Sequence, residues 1–239
     1  MSDETSLADR LARVRDRIAA ACARAGRNPA DVTLVAVSKF HPAEAVRQAG
    51  LAGQTVFGES YIQEALAKME ALDGARTPDN EPFSWHFIGR LQKNKARFAA
   101  GRFALIHSVD SLELARTLQK RCADAHLVQD ILLQVNIAGE SQKAGTDEEA
   151  LLPLAEAVRA MDNLRLAGLM ILPPFFDDPE RARPYFARLR ELGLGLARRL
   201  GAPLPILSMG MSGDLEAAVE EGATHVRVGT DIFGQRPSR

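Results

Sequence analysis

Cysteine is nearly missing from this chain. Cys22 and Cys122 are its only two, both in alanine-rich helical stretches and neither in a CxxC or Cys/His spacing. That argues against a disulfide scaffold or a zinc site, points to a reducing cytoplasm, and leaves both thiols as small buried apolar groups. The five histidines, His41, His86, His107, His126 and His225, show no HxH or HExxH spacing, so no metal centre is expected. No GxSxG motif is present, which removes the nucleophile elbow of serine hydrolases. No apolar run approaches the roughly 20 residues that cross a bilayer, and the start MSDETSLADR reads as too acidic and polar for a signal peptide. The net charge of -1 gives no bulk attraction to nucleic acid or to an anionic membrane. Lysine is scarce too. Of 30 basic residues only six are lysine: Lys39, Lys68, Lys93, Lys95, Lys120 and Lys143.

What remains is a regular alternation. An amphipathic helix is predicted over 5–25, with Leu7, Leu11, Val14 and Ile18 spaced by three and four. After it, strands are predicted at 32–38, 54–57, 83–88, 103–108, 130–137, 164–171, 204–208 and 225–229. Helices are predicted between them at 42–50, 60–72, 94–100, 111–124, 147–161, 178–199 and 213–221. Short runs of Val, Ile and Leu that are apolar on both faces belong in a parallel sheet covered by helices. Eight such steps in 239 residues fit an α/β (β/α)8 TIM barrel with an additional N-terminal helix. RTPDNEP (76–82) and PPFFDDP (173–179) read as loops, and no linker divides the chain, so residues 1–239 are expected to form a single domain.

In such barrels chemistry gathers at the C-terminal ends of the strands. Lys39 ends the first strand, VTLVAVSK (32–39), where a lysine among Val, Leu and Ala loses hydration. Lys93 and Lys95 follow the third strand and Lys143 the fifth, with Arg90 beside them. SMGMSGD (208–214) follows strand seven and opens a helix, and VRVGTDIFG (226–234) covers strand eight and the turn after it. Serine hydroxyls and unobstructed glycine N–H groups there suit an anion, and these two strands are where many such barrels hold a phosphate. Ser212 as a helix cap and Gly229 as a turn glycine are the plainer alternative. An aldehyde-seeking amine and a phosphate cradle on one face point to pyridoxal 5′-phosphate (PLP).

The motifs VAVSK (35–39), FGESYIQE (57–64), WHFIGRLQKNK (85–95), HSVDS (107–111), LLQVNIAGESQKAG (132–145), GLMILPP (168–174) and LSMGMSGDLEAAVEEGATHVRVGT (207–230) stand in order along the chain. Together they resemble the pyridoxal phosphate homeostasis protein family, single-barrel PLP-binding proteins related to the alanine racemase N-terminal domain. The resemblance implies that Lys39 forms the Schiff base, that Ser208, Ser212, Gly229 and Thr230 surround the phosphate, and that Arg227 faces the pyridine nitrogen. A guanidinium there would repel a second proton on the ring and leave it a weak electron sink. One departure stands out: the family usually reads Gly-Glu-Asn where this chain has Gly58, Glu59 and Ser60.

Two classes of function stay open. One is a carrier that holds PLP reversibly in vitamin B6 homeostasis, with PLP, other B6 vitamers and apo PLP-dependent enzymes as partners. The other is a fold type III amino-acid racemase or decarboxylase. A Schiff-base aldolase without PLP is a more distant third. A racemase needs an acid/base group on each face of the substrate carbon. Only Lys39 is identifiable, since Tyr61 and Tyr185 fall within predicted helices, and no second β-rich domain follows the barrel. The carrier, acting as a cytoplasmic monomer, is the expectation. His86 and Trp85 read as structural, Gly89 and Asn94 as neighbours of the site, and a second vitamer site at Lys93, Lys95 or Lys143 stays open.

Overall fold

Eight short runs dominated by Val, Leu, Ile and Phe become strands because their side chains are covered on both faces, as a parallel sheet requires. In the computed structural model, which describes residues 6–140 and 144–235, they are β1 (Thr33–Val37), β2 (Val56–Glu59), β3 (Ser84–Phe87), β4 (Leu105–Val109), β5 (Gln129–Val135), β6 (Leu164–Ile171), β7 (Ile206–Ser208) and β8 (His225–Val228). They pair in chain order and all parallel, and β8 returns to β1 with Val35 opposite Arg227, closing the barrel. All eight predicted strands are present, trimmed by one or two residues at most ends.

The helices are α1 (Leu7–Arg24), α2 (Ala43–Leu51), α3 (Ile62–Ala71), α4 (Ala96–Ala99), α5 (Leu112–Asp124), α6 (Glu148–Arg159), α7 (Arg183–Leu200), α8 (Leu215–Glu220) and α9 (Thr230–Phe233). Helix α1 begins at a capping box: Ser6 Oγ accepts the Asp9 N–H, and the Asp9 carboxylate accepts the Ser6 N–H. Its buried stripe of Leu11, Val14, Ile18 and Ala21 lies against α8 and α9, so the N-terminal helix sits beside the barrel. The short α9 stands where the sequence reads only a turn.

Side chains alternate along each strand, so height inside the barrel follows residue number in steps of two. Leu105, Leu132, Met170 and Ile206 pack together across the lumen. Two residues further along their strands stand His107, Gln134 and Ser208, with Leu172 just past the end of β6, and a further step reaches the C-terminal rim. The barrel is therefore apolar below, polar in its middle, and open at the rim where β1 delivers Lys39.

Candidate functional site

Lys39 follows β1 at the rim and is partly buried. The chain reverses immediately after it, with Phe40 at φ 69°, a left-handed conformation that bulky residues rarely adopt. Helix α3 holds that turn on both sides. Glu64 accepts the Phe40 N–H at 2.5 Å, and the Lys68 ammonium donates to the Ser38 carbonyl at 2.7 Å. Lys68 is itself only 5 % exposed and donates to Glu59 at 2.6 Å and Glu64 at 2.7 Å. The Ser38 hydroxyl donates to the same Glu59 oxygen at 2.7 Å. Burial pushes the Glu59 carboxyl up, with Lys68 and Ser38 pulling the other way. Both peptide neighbours of Lys39 are thus fixed by one enclosed ion-pair cluster.

Lys39 shares a cavity of about 610 Å³ with Ser212, Arg227, Gly229 and Thr230. Five of the six residues expected to hold a cofactor are brought together. At Gly229 a Cβ would come within 3.2 Å of the Val37 carbonyl, a tight contact that glycine avoids where β8 lies against β1. The Met211–Asp214 turn is closed by the Met211 N–H on the Asp214 carboxylate, 2.6 Å, and by the Asp214 N–H on the Met211 carbonyl. Among the described residues no acceptor takes the N–H groups of Ser212 and Gly213. Helices α8 and α9 are too short for much dipole. What these two loops could offer an anion is amides and hydroxyls.

Ser208 requires a correction. It does not line the cavity. Its hydroxyl is fully buried, receives a bond from Arg227 Nη1 at 2.6 Å and lies 2.8 Å from His107 Nδ1. The reason is its phase: Ser208 is still within β7 and faces the lumen two positions below the rim, whereas Ser212 lies in the loop above it. Arg227 spends its other arm on the Ile171 carbonyl, 2.8 Å from Nη2. Burial draws the guanidinium down to about 10, which still leaves it charged at neutral pH.

Below Arg227 three histidines meet. His107 Nε2 lies 3.1 Å from His86 Nδ1, and the His86 and His225 rings stack at 5.8 Å. Burial brings His86 down to about 3 and His225 to about 4, and holds His107 well below the ordinary range. All three are neutral. They come from β3, β4 and β8, which is why a search for short histidine spacings does not see them. Among the described residues no group of three His, Cys, Asp or Glu side chains could hold a metal ion.

A second cavity of about 730 Å³ adjoins the first, with Lys39, Ser60, Ile88 and Met211 lining both. Arg90, Lys95 and Tyr61 open onto it. Tyr61 is not within a helix as expected but is the residue before α3, with its ring 5.2 Å from that of Phe40. Lys93 is turned aside into an ion pair with Glu113. Lys143 lies outside the described residues. Gly89 has a clear reason: a Cβ there would meet the Ser60 carbonyl at 2.2 Å, so glycine lets the loop after β3 lie on Ser60.

Two residues were not anticipated. Lys68, with Glu64 four residues before it, reads in sequence as an ordinary surface helix pair. Arg17 of α1 donates to the Ser212 carbonyl at 2.9 Å, to Glu216 at 2.6 Å and to Asp231 at 2.5 Å, so it ties the loops after β7 and β8 together. Only the fold brings it near them.

Comparison with known proteins gives consistent results. The alanine racemase N-terminal domain family matches residues 10–237. A pyridoxal phosphate homeostasis protein of Pseudomonas aeruginosa is 48 % identical over 232 residues, 97 % of this chain and 96 % of that one. One of Aquifex aeolicus is 46 % identical over 228 residues, 95 % of this chain and 97 % of that one. The structure of PipY of Synechococcus elongatus with PLP bound superposes with a TM-score of 0.82 at 37 % identity, covering 96 % of this chain and all of PipY.

Proposed function

The chain belongs to the alanine racemase N-terminal domain family and, within it, to the pyridoxal phosphate homeostasis proteins, and from that premise we propose that it binds PLP and serves in B6 homeostasis as a carrier. The observation that carries the reading is the single cavity shared by Lys39, Arg227 and the Ser212–Gly229–Thr230 cradle. Lys39 would hold the aldehyde as a Schiff base, Ser212, Gly229 and Thr230 would hold the phosphate, and Arg227 would face the ring nitrogen. Bound there, the cofactor supplies a reactive aldehyde that an amine takes up reversibly.

The residues fit that group. The cavity has room for a small phosphorylated ring, the unbonded N–H groups of Ser212 and Gly213 suit a phosphate, and a charged guanidinium stands at the inner end. Arg227 only donates, so it accepts no proton from the ring and opposes one arriving there. The buried cluster behind Ser38 and Phe40 orients Lys39 without contacting the cavity. Among the described residues no tyrosine lines this cavity and Tyr61 opens onto the neighbouring one, while the Asp214 carboxylate at its edge is engaged by the Met211 N–H. Carriage rather than racemisation is therefore proposed, for residues 1–239 as one cytoplasmic, monomeric unit exchanging PLP and other B6 vitamers with apo-enzymes. Among the described residues no helix is long and apolar enough to cross a membrane. The test is the visible absorbance of protein purified with PLP. It should be yellow, Lys39→Ala should be colourless at the same fold content, and a yellow variant would sink the assignment.

A further inference from the structure

We infer that Ser208, His107 and His86 form a one-way hydrogen-bond chain that fixes the plane of the Arg227 guanidinium, making them positioning residues for the ring of the bound cofactor. The inference rests on the placing of Arg227 at the ring nitrogen proposed above.

The direction of the chain follows from what each group can do. A guanidinium only donates, so the 2.6 Å contact makes Ser208 Oγ an acceptor from Arg227. The hydroxyl is fully buried and its own proton needs an acceptor, which His107 Nδ1 supplies at 2.8 Å. His107 must then carry its proton on Nε2 and donate it to His86 Nδ1 at 3.1 Å. His86 is left with its proton on Nε2. The reverse order would place two donors on Ser208 and strand the hydroxyl proton inside the barrel. Burial of both imidazoles keeps them neutral, as a link that accepts on one nitrogen and donates from the other must be.

The chain also has the right span. It runs from β8 to β7, crosses the lumen to β4 and ends on β3, so four strands on two sides of the barrel back one side chain. With Nη1 held on Ser208 and Nη2 on the Ile171 carbonyl, the planar guanidinium cannot turn about its last bond. Its remaining N–H groups keep one heading relative to the cavity that Arg227 lines. Fixed dipoles aimed in advance need no reorganisation when a ligand arrives.

The test uses the full chain reconstituted with PLP carrying ¹⁵N in its ring, and reads the ring-nitrogen chemical shift together with the dissociation constant. Ser208→Ala should weaken binding about tenfold, the scale of one lost hydrogen bond to a charged group, and move the ring shift. His107→Phe should do the same, and the double variant should be no worse than the worse single. His107→Gln should return toward wild type, because its amide oxygen can accept from Ser208 and its nitrogen can donate to His86. Should His107→Phe fail to fold, Ser208→Ala and His107→Gln decide the matter alone. An unmoved ring shift in Ser208→Ala, or fully additive losses, would overturn the chain and leave the cofactor assignment standing. A wild-type protein with no Lys39-dependent visible band would overturn that assignment and the chain with it.

Discussion

The ammonium of Lys68 donates to the carbonyl oxygen of Ser38 at 2.7 Å, fastening α3 to the residue just before Lys39. The bond belongs to a buried cluster in which Lys68 also neutralises Glu59, whose second oxygen has no partner among the described residues. Removing the ammonium would leave a buried carboxylate and a loosened turn. Lys68→Met should therefore lower stability by about 3–5 kcal/mol, read from urea unfolding. Adding Glu59→Leu should recover much of that loss, because an apolar pair can replace a buried ion pair. A double variant as unstable as the single one would mean the cluster is not the cause.

The histidine group predicts a direction for acid lability. An unfolded histidine titrates near 6.5, whereas folded His86 titrates at about 3, His225 at about 4 and His107 well below its ordinary range. The unfolded chain therefore binds more protons than the fold between these values. Their contribution to stability is complete above roughly pH 6.5 and is lost as pH falls toward 4 and then 3. Glu59 and Asp214, both raised by burial, act in the opposite sense. The urea midpoint should fall steadily from pH 6.5 to 4, and His225→Gln should make that slope shallower. A flat midpoint over this interval would contradict the buried neutral histidines.

These two cases mark where the sequence stopped being legible. Apolar runs with both faces covered located every strand, and an amine at the end of one of them located Lys39. The motifs after β7 and β8 located Ser212, Gly229 and Thr230, because each lies in the loop that its own strand delivers. Lys68 was not legible, since its burial depends on Glu59 from a different element and its i,i+4 partner makes it look exposed. The chain through His107 was not legible either, as it joins strands from opposite walls of the barrel. Ser208 was misplaced because motif proximity to Ser212 says nothing of its phase on β7.

Arg17 links the sequence extremes. Its guanidinium holds the Ser212 carbonyl, Glu216 and Asp231, so α1 braces both loops of the proposed phosphate cradle. These ion pairs are partly exposed, and each adds little stability alone. Arg17→Met should cost only a few degrees of melting temperature yet raise the PLP dissociation constant by about 3- to 10-fold, the scale of one net hydrogen bond. Titration with pyridoxal, which lacks the phosphate, separates local from global effects. Its affinity should be unchanged, and an equal loss for both ligands would place the effect elsewhere.

Ser60 stands where the resemblance implies an asparagine, and it borders both cavities beside Lys39. Its backbone is pinned, because the loop after β3 lies on it at Gly89, where even a Cβ would come within 2.2 Å of the Ser60 carbonyl. A longer side chain at 60 would thus extend from a fixed point into open cavity space without displacing a neighbouring element. An asparagine amide offers a donor and an acceptor that a hydroxyl cannot place as far from the backbone. Ser60→Asn should tighten PLP binding by roughly 3- to 10-fold, one additional net hydrogen bond, with the melting temperature of the ligand-free protein unchanged. The comparison to make is equilibrium titration of both proteins alongside their release rates, since added contacts act mostly by slowing dissociation. Equal affinity and equal release would mean that Ser60 already satisfies the group an asparagine would reach, and that the family's asparagine is replaceable here without loss.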